Sequence, residues 1–289
     1  MNALLTPDQE AQLRREGYLP AAEVARCIAG DAGNVARLLE EVLPIAARFA
    51  RAPISGFEVG AAVLGGVDAS AGASALYLGA NLEFAGLGLA TAVHAEQAAC
   101  NQAWLRGETE ITSLATSAAP CGHCRQFLCE LDSPDTLAVL VSGEEPITLA
   151  QLLPAAFHPS ALGVKAAWMN QPAEELPTDP SLSAWAIAAA RASHAPYSRG
   201  LAGVALEFED GHRVAGRLVE SVAFNPSLPP LSSALSLLAM TDSARSWAQI
   251  RACLLAEAPA KCSQVAATYV LLRSVAPQAP LERIGFEQL

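Results

Sequence analysis

The sequence has no long uninterrupted apolar run, although its hydrophobic fraction is 52% of 289 residues. No stretch approaches the ~20 consecutive apolar residues that a membrane-spanning helix requires. Residues 1–17 also lack the basic start and apolar centre of a secretory signal peptide. We therefore expect a cytoplasmic protein without a membrane partner.

Runs of basic residues are also missing, and acidic residues dominate. The chain has 18 Lys and Arg against 29 Asp and Glu, a formal net charge of -11. A surface of this sign repels a polyanion, and the sequence offers no basic run that could neutralise phosphates. We expect no nucleic-acid polymer as a partner, although a local basic groove on an acidic protein stays compatible with this composition.

Cysteine is odd in number and too sparse for a disulfide framework. Seven cysteines spread over a chain of this length suit reduced thiols or metal ligands better. The length itself allows two domains that bury sizeable cores without covalent cross-links.

The order of sequence patterns predicts a small helical N-terminal segment followed by an α/β domain. Residues 1–47 carry apolar positions at helical spacing, most clearly over 8–27 and 31–50. Residues 48–155 then alternate short apolar runs, punctuated by glycine, with helical patterns in the order β-β-α-β-α-β. This alternation predicts helices packed on a layered sheet. Residues 156–182, rich in proline near their end, predict a linker.

Residues 183–289 repeat the first half weakly but in order, which predicts a degenerate second copy of the same fold. The aligned positions are residues 52–55 with 195–198, Gly79 with Gly216, and Glu83 with Glu220. The offset that aligns Gly79 with Gly216 also aligns His94 with Leu231 and Glu96 with Ser233, so we expect no catalytic site in the second copy. Chance similarity between two halves rich in Gly and Ala is the alternative.

The residues that carry chemistry are His94 and Glu96, followed further along the chain by Cys121 and Cys124. Zinc prefers imidazole and thiolate ligands, and a catalytic zinc site uses three protein ligands so that water can take the fourth position. We predict one zinc ion per chain, bound by His94, Cys121 and Cys124. A lone C-x-x-C pair would equally suit a redox pair or half of a structural zinc site.

The spacing of these residues places them at the starts of two helices. Positions two apart in a helix reach one metal only in its first turn, which puts the helix N-terminus at about Val93. Cys121 and Cys124, three apart, share a face in the first turn of the next helix. The positive end of the helix dipole favours thiolates there.

Glu96 is the predicted proton carrier. Two thiolates cancel most of the zinc charge, so a bound water stays less acidic than the pKa of ~7 found at more electrophilic zinc sites. A nearby carboxylate can take the proton from that water and later protonate departing ammonia. The combined pattern H-x-E and P-C-x-x-C is the general signature of zinc-dependent nucleobase deaminases.

On these residues the sequence resembles the cytidine deaminases, in particular the larger type with a helical start, a catalytic domain and a degenerate second domain. The similar blocks are residues 56–60, 79–84, 94–97 and 120–127. The resemblance implies a three-layer α/β/α fold and hydrolytic deamination of cytidine and 2′-deoxycytidine to uridine and 2′-deoxyuridine. It also implies a homodimer, whose assembly the second half supports through residues 223–230.

The resemblance further implies the residues that bind the nucleoside. In that family the residues matching Asn81 and Glu83 bind the ribose hydroxyls, and the residue matching Phe57 stacks on the pyrimidine. Ala95 belongs to the same binding set. Phe157 matches a residue that closes the pyrimidine pocket, although simple core packing is an equal interpretation. An amide and a carboxylate suit a sugar diol, and an aromatic face suits a flat base.

Three further expectations remain open at this point. Arg125, beside Cys124, is a hypothetical donor to the thiolates, and an ordinary exposed helix arginine is at least as consistent with the sequence. His123 has no required coordinating role. The alternative functions are a deaminase of nucleotides or polynucleotides, and a catalytically inactive protein that binds zinc or a nucleoside.

Overall fold

The computed structural model describes residues 3–31, 33–165, 167–170, 177 and 181–287. Part of the predicted linker, residues 166, 171–176 and 178–180, lies outside the described residues, and the domain boundaries stay predictions. In the described ranges, no helix combines the length and the apolarity needed to cross a membrane.

The described residues form helices and strands in an order close to the predicted one. The helices are α1 Pro7–Glu16, α2 Ala21–Ile28, α3 Gly33–Ala47, α4 Ala95–Leu105, α5 Gly122–Leu128, α6 Leu149–Leu152, α7 Leu182–Arg191, α8 Pro230–Thr241 and α9 Val265–Val275. The strands are β1 Tyr18–Leu19, β2 Gly60–Asp68, β3 Ala73–Ala80, β4 Ile111–Thr116, β5 Ala138–Val141, β6 Ile147–Thr148, β7 Ala202–Phe208, β8 Arg213–Arg217, β9 Ile250–Glu257 and β10 Leu281–Gly285.

The described residues form two mixed sheets, one in each half, and the four strands β3-β2-β4-β5 of the first sheet have the same arrangement as the four strands of the second. The first has the order β1-β3-β2-β4-β5-β6, and the second has the order β8-β7-β9-β10. In the first, β2 is antiparallel to β3 and β4, and β4 is parallel to β5. In the second, β7 is antiparallel to β8 and β9, and β9 is parallel to β10. The repeated topology confirms the predicted α/β fold in two copies.

Helices pack closely on both faces of the first sheet, at positions that only glycine can occupy. A Cβ atom on Gly60 would lie 2.5 Å from the carbonyl oxygen of Leu43 in α3. One on Gly79 would lie 2.3 Å from the carbonyl oxygen of Ala95 in α4. Gly60 pairs with Ala80, the neighbour of Gly79 in β3, and successive strand residues point to opposite faces. The sheet is therefore sandwiched between α3 and α4.

The second sheet repeats this arrangement. A Cβ atom on Gly203 would lie 2.2 Å from the backbone nitrogen of Ala190 in α7, and one on Gly216 would lie 2.2 Å from the carbonyl oxygen of Pro230 in α8. The predicted three layers are thus present in each half. The repeated close approaches also explain why the glycines are the positions that align most clearly between the halves.

The two halves meet where α4 packs against α8. The side chains of Asn101 and Ser233, both fully buried, bond across this contact: the Ser233 hydroxyl donates to the Asn101 side-chain oxygen at 2.7 Å, and the Asn101 amide donates to the Ser233 carbonyl at 3.0 Å. A second link is Glu130, 1% exposed. Its carboxylate accepts bonds from the Val222 N–H at 2.6 Å and the Tyr197 hydroxyl at 2.8 Å. Buried polar groups satisfied in this way fix how the two halves meet.

The helical pattern predicted over residues 8–27 is wrong at its centre. Gly17 adopts a left-handed conformation with φ 59° and ends α1. Tyr18 and Leu19 then form β1, which pairs antiparallel with β3. Glycine adopts this conformation without steric cost, and a strand of two residues is too short to show an alternating pattern.

The predicted alignment of the repeat is also wrong by two residues at the start of α8. The backbone of Leu82 pairs with Val93 just before α4, and in the same way Val219 pairs with Leu228 just before α8. The connection in the second half is therefore two residues shorter. His94 caps the N-terminus of α4 and Pro229 caps α8, so the counterparts of His94 and Glu96 are Pro229 and Leu231.

Replacing Gly79 with alanine should lower the free energy of unfolding by about 2 kcal/mol or more, because the added methyl group overlaps the backbone of α4. Gly216→Ala should cost a similar amount at α8. Gly285→Ala is the matched control, since a Cβ atom there meets nothing within 4 Å. Urea denaturation measures all three; equal stabilities for Gly79→Ala and Gly285→Ala would contradict the tight packing described above.

Candidate metal centre and nucleoside cavity

The ends of two helices bring the predicted metal ligands together. His94 is the N-cap of α4, and its backbone N–H donates to the Gln97 side-chain oxygen at 3.1 Å. Cys121 is the N-cap of α5, and Cys124 lies in the first turn of that helix. The helix containing Glu96 begins at Ala95, two residues after the approximate start predicted at Val93. The prediction that both helix starts converge is confirmed.

The three ligand atoms lie at distances that fit tetrahedral zinc. His94 Nδ1 is 3.2 Å from Cys124 Sγ and 3.5 Å from Cys121 Sγ, and the two sulfurs are 3.6 Å apart. Bonds of ~2.0 Å to nitrogen and ~2.3 Å to sulfur require tetrahedral ligand atoms to lie about 3.5 to 3.8 Å apart. The donor set of one imidazole and two sulfurs also suits zinc chemically.

A second, looser set of possible ligands replaces Cys121 by His123. The atoms of His94, His123 and Cys124 lie within 4.8 Å of one another. However, the two imidazole rings are stacked, with centroids 4.8 Å apart and planes 24° apart. His123 Nε2 also lies 3.2 Å from the Asn225 carbonyl oxygen. Because stacked rings do not converge on one point, the set with Cys121 fits a metal ion better.

The electrostatic environment shifts the pKa values of the Cys121 and Cys124 thiols in opposite directions. The hydrogen bond between the two thiols lowers the pKa of Cys121 to about 4. The same interaction, together with burial, raises the pKa of Cys124. A cation bound by both sulfurs would require both thiols to be deprotonated, so metal binding there would release protons.

Glu96 lies beside this site and is almost completely buried, with 4% of its surface exposed. Its Oε2 is 3.2 Å from Cys124 Sγ. Burial raises the pKa of the Glu96 carboxyl, because desolvation disfavours its charged form. A carboxyl group with a raised pKa can both release and take up a proton near neutral pH.

A cavity of about 320 Å³ reaches His94 and Cys121, two of the predicted metal ligands. It is lined by seven of the nine predicted site residues, namely Phe57, Asn81, Glu83, His94, Ala95, Glu96 and Cys121. Cys124 is buried behind it. Phe157 does not belong to the lining; it is 44% exposed, and its carbonyl accepts a bond from the Gln126 side chain at 2.7 Å. Phe57 is 60% exposed at the cavity wall.

The two polar residues predicted to bind ribose are already engaged with the chain that surrounds the cavity. Asn81 accepts a bond from the Val59 N–H at 2.8 Å and donates to the Phe57 carbonyl at 2.9 Å. Glu83 accepts bonds from the backbone N–H groups of Ile54 and Ser55, at 2.8 and 3.0 Å, and from the Ser55 hydroxyl. These bonds lower the pKa of Glu83, chiefly through the Ser55 hydroxyl. Each side chain retains part of its bonding capacity for a ligand.

Sequence reasoning missed two residues that organise this site. Ser55 bonds Glu83, and Gln97 connects the His94 N–H to the Pro226 carbonyl of the second half, to which it donates at 2.8 Å. The alignment of Ser55 with Ser198 was a signal for the first. The hypothesis that Arg125 donates to the thiolates is wrong: its guanidinium donates at 2.7 Å to the carbonyls of Pro120 and Leu152.

Comparisons with known proteins define the class to which this site belongs. Two family profiles, both described as "Cytidine and deoxycytidylate deaminase zinc-binding region", match residues 34–140 and 149–269. A cytidine deaminase of Serratia proteamaculans is 44% identical over 80% of this chain and 76% of its own. A cytidine deaminase of Shewanella amazonensis is 42% identical over 90% of this chain and 86% of its own. A cytidine deaminase of Cronobacter sakazakii is 37% identical over 99% of this chain and 88% of its own.

The chain is therefore an α/β protein with a zinc-binding region of the deaminase type. It belongs to the cytidine and deoxycytidylate deaminase family. The second match, to residues 149–269, falls on the half in which the described residues contain no His/Cys cluster. Family membership thus extends over both copies of the fold, as the repeat predicted.

Removing a predicted ligand should distinguish the two possible metal sets. We expect purified protein to carry about one zinc per chain, Cys121→Ser and Cys124→Ser to lose most of it, and His123→Asn to retain it, because His123 is stacked rather than convergent. Elemental analysis by mass spectrometry measures the content. Loss of zinc from His123→Asn with retention in Cys121→Ser would favour the looser set.

Proposed function

We propose that this protein is a zinc-dependent cytidine deaminase, which hydrolyses cytidine and 2′-deoxycytidine to uridine and 2′-deoxyuridine with release of ammonia. The observation that carries the proposal is the position of the buried Glu96 carboxyl. It lies between a three-residue zinc ligand set and a cavity of the size of a small ligand. The curated relatives named cytidine deaminases support the same activity.

In this mechanism His94, Cys121 and Cys124 would hold the metal, and a zinc ion bound there would supply Lewis acidity. Glu96 accepts a proton from the attacking water, whose oxygen bonds to C4 of the pyrimidine ring, and transfers that proton to N3. Glu96 then carries the second proton to the departing amino group, so that ammonia leaves from C4 and uridine remains. One buried carboxyl can perform these transfers because it faces both the ligand set and the cavity.

The proposed substrate is a free nucleoside. Phe57 offers an aromatic face for the pyrimidine, and the residual hydrogen-bonding capacity of Asn81 and Glu83 suits the sugar hydroxyls. Ala95 contributes backbone at the start of α4, and Phe157 would have to reach the base from outside the cavity lining. Because a carboxylate beside the sugar repels a phosphate, Glu83 disfavours nucleotides and polynucleotides. The buried Glu96 argues against an inactive zinc protein.

A homodimer is part of the proposal. Large apolar side chains remain exposed in this chain, including Phe57, Leu89, Phe157, Phe224 and Tyr269. Phe57 and Leu89 lie at the wall of the cavity, where a second copy would both cover apolar surface and close the site. The number of zinc ions per chain and the cytoplasmic location stay predictions.

Replacing Glu96 with glutamine should leave zinc bound and lower the turnover of cytidine about 10³-fold, within the range that a positioned acid-base group contributes. Glu96→Ala should behave alike, and a zinc chelator should abolish the activity of the unchanged protein. Absorbance measures conversion of cytidine to uridine, and Glu110→Gln, at an exposed position, is the control.

Full activity of Glu96→Ala would disprove the mechanism. Faster turnover of cytidine monophosphate, cytosine or single-stranded DNA would overturn the substrate assignment.

Glu220 provides a matched control for the role of Glu83. It accepts the same three bonds in the second half, from the N–H groups of Tyr197 and Ser198 and from the Ser198 hydroxyl. Glu83→Gln and Glu220→Gln should therefore destabilise the protein to a similar extent. Only Glu83→Gln should also raise the KM for cytidine, by about tenfold. Equal KM values in the two variants would restrict Glu83 to a structural role.

A further inference from the structure

A second cavity, of about 400 Å³, lies where the end of α4 meets the second half of the chain. Its walls come from the C-terminal end of α4, from α7, from β8 and from the last turns of α8. It shares no lining residue with the cavity at the metal ligands. A ligand bound there would not touch the proposed catalytic residues.

The topology of the two sheets explains this opening. Strand β8 is at the edge of its sheet, whereas β3, its counterpart in the first half, is covered by β1. Strand β1 follows α1 in the N-terminal segment, and among the described residues no strand takes the equivalent position beside β8. The edge of β8 therefore faces a cavity at the place where the first half is filled.

Two of the three residues on the cavity face of β8 are basic where the first half has apolar residues. Alternate strand residues share a face, so Arg213, Ala215 and Arg217 line up, and all three line the cavity. Their counterparts in β3 are Leu76, Leu78 and Ala80, all fully buried.

A third arginine completes a cationic wall. Arg106, the C-cap of α4, lies over the Tyr18 ring at 4.5 Å, and Arg217, only 7% exposed, lies over the Trp104 ring at 5.0 Å. Arg213 pairs with Glu207, but Glu207 is shared with Arg251. No Asp or Glu occurs among the described residues that line this cavity. In a chain with a net charge of -11, such a concave basic surface is a local exception.

The cavity lining also has aromatic and apolar members. Trp185 is half-buried on α7 and Leu237 is half-buried on α8, and both line the cavity. An indole face stacks on flat rings and on nucleobases irrespective of their sequence. Guanidinium groups bind phosphate oxygens through two parallel hydrogen bonds. The volume is within the range of small-molecule sites.

We propose that this cavity binds a small organic phosphate with a flat ring, of the class of a mononucleotide. Arg106, Arg213 and Arg217 bind the phosphate, and Trp185 stacks on the ring. The site is separate from the nucleoside cavity. It bridges the end of α4, whose first turn carries Glu96, and the second half of the chain.

Isothermal titration of the unchanged protein tests this site with three probes at matched ionic strength: adenosine 5′-monophosphate, adenosine and inorganic phosphate. We expect the mononucleotide to bind once per chain, phosphate to compete at least tenfold more weakly, and adenosine to give no heat. Saturating uridine should leave mononucleotide binding unchanged. Arg106→Gln should weaken it about tenfold. Arg26→Gln, which removes the same charge from an exposed position on α2, should not.

A second variant tests the contribution of Trp185, the aromatic residue of the cavity lining. Trp185→Ala should weaken binding of the mononucleotide but leave the affinity for inorganic phosphate unchanged. The proposal is overturned if the unchanged protein binds no mononucleotide, if adenosine binds as tightly, if uridine displaces it, or if Arg26→Gln loses as much affinity as Arg106→Gln. Turnover of cytidine without the phosphate probe should be the same in all these variants, so a failure of this site leaves the proposed deaminase activity untouched.

Discussion

The candidate metal centre depends on the packing of α4 against the first sheet on one side and against α8 on the other. On one side the absence of a side chain at Gly79 lets the backbone of α4 approach β3. On the other side α8 covers the helix, and the Asn101–Ser233 bonds fix their register. Because α4 is packed on both sides, the position of its N-terminal end is fixed. The positions of His94 and of the Glu96 carboxyl follow from that end of the helix. Preorganised groups of this kind need no rearrangement when the reaction begins.

The second copy of the fold therefore contributes to chemistry that it does not perform. It supplies the Pro226 carbonyl to Gln97, which in turn bonds the His94 backbone. It also surrounds the buried Glu130 carboxylate, which lies just beyond α5. Both helices that start at the predicted metal ligands are thus anchored in the second half. The described residues of that half contain no His/Cys cluster, yet its helix α8 packs against α4.

The sequence was sufficient for the features that depend on local spacing. The positions of His94 and Glu96, and of Cys121 and Cys124, predicted two helix starts that converge, because a helix repeat fixes which neighbours share a face. The sequence was insufficient where the hydrogen-bond partners of a side chain lie far away along the chain and come close only in the folded protein. Arg125 bonds two carbonyls rather than the adjacent thiolate, and Glu83 bonds the turn at Ser55. The two-residue shift before α8 was hidden because the glycines that marked the repeat all precede it.

The shorter connection before α8 has an evolutionary consequence. The positions equivalent to His94 and Glu96 are Pro229 and Leu231, and α9, the counterpart of α5, begins after Gln264 with Ala267 in the place of Cys124. To carry the same ligand set, the second copy would need four substitutions and a longer connection. Of the four positions only Leu231 is buried, whereas Ala267 is exposed, so the start of α9 is open to solvent where the start of α5 faces the metal ligands predicted in the first half.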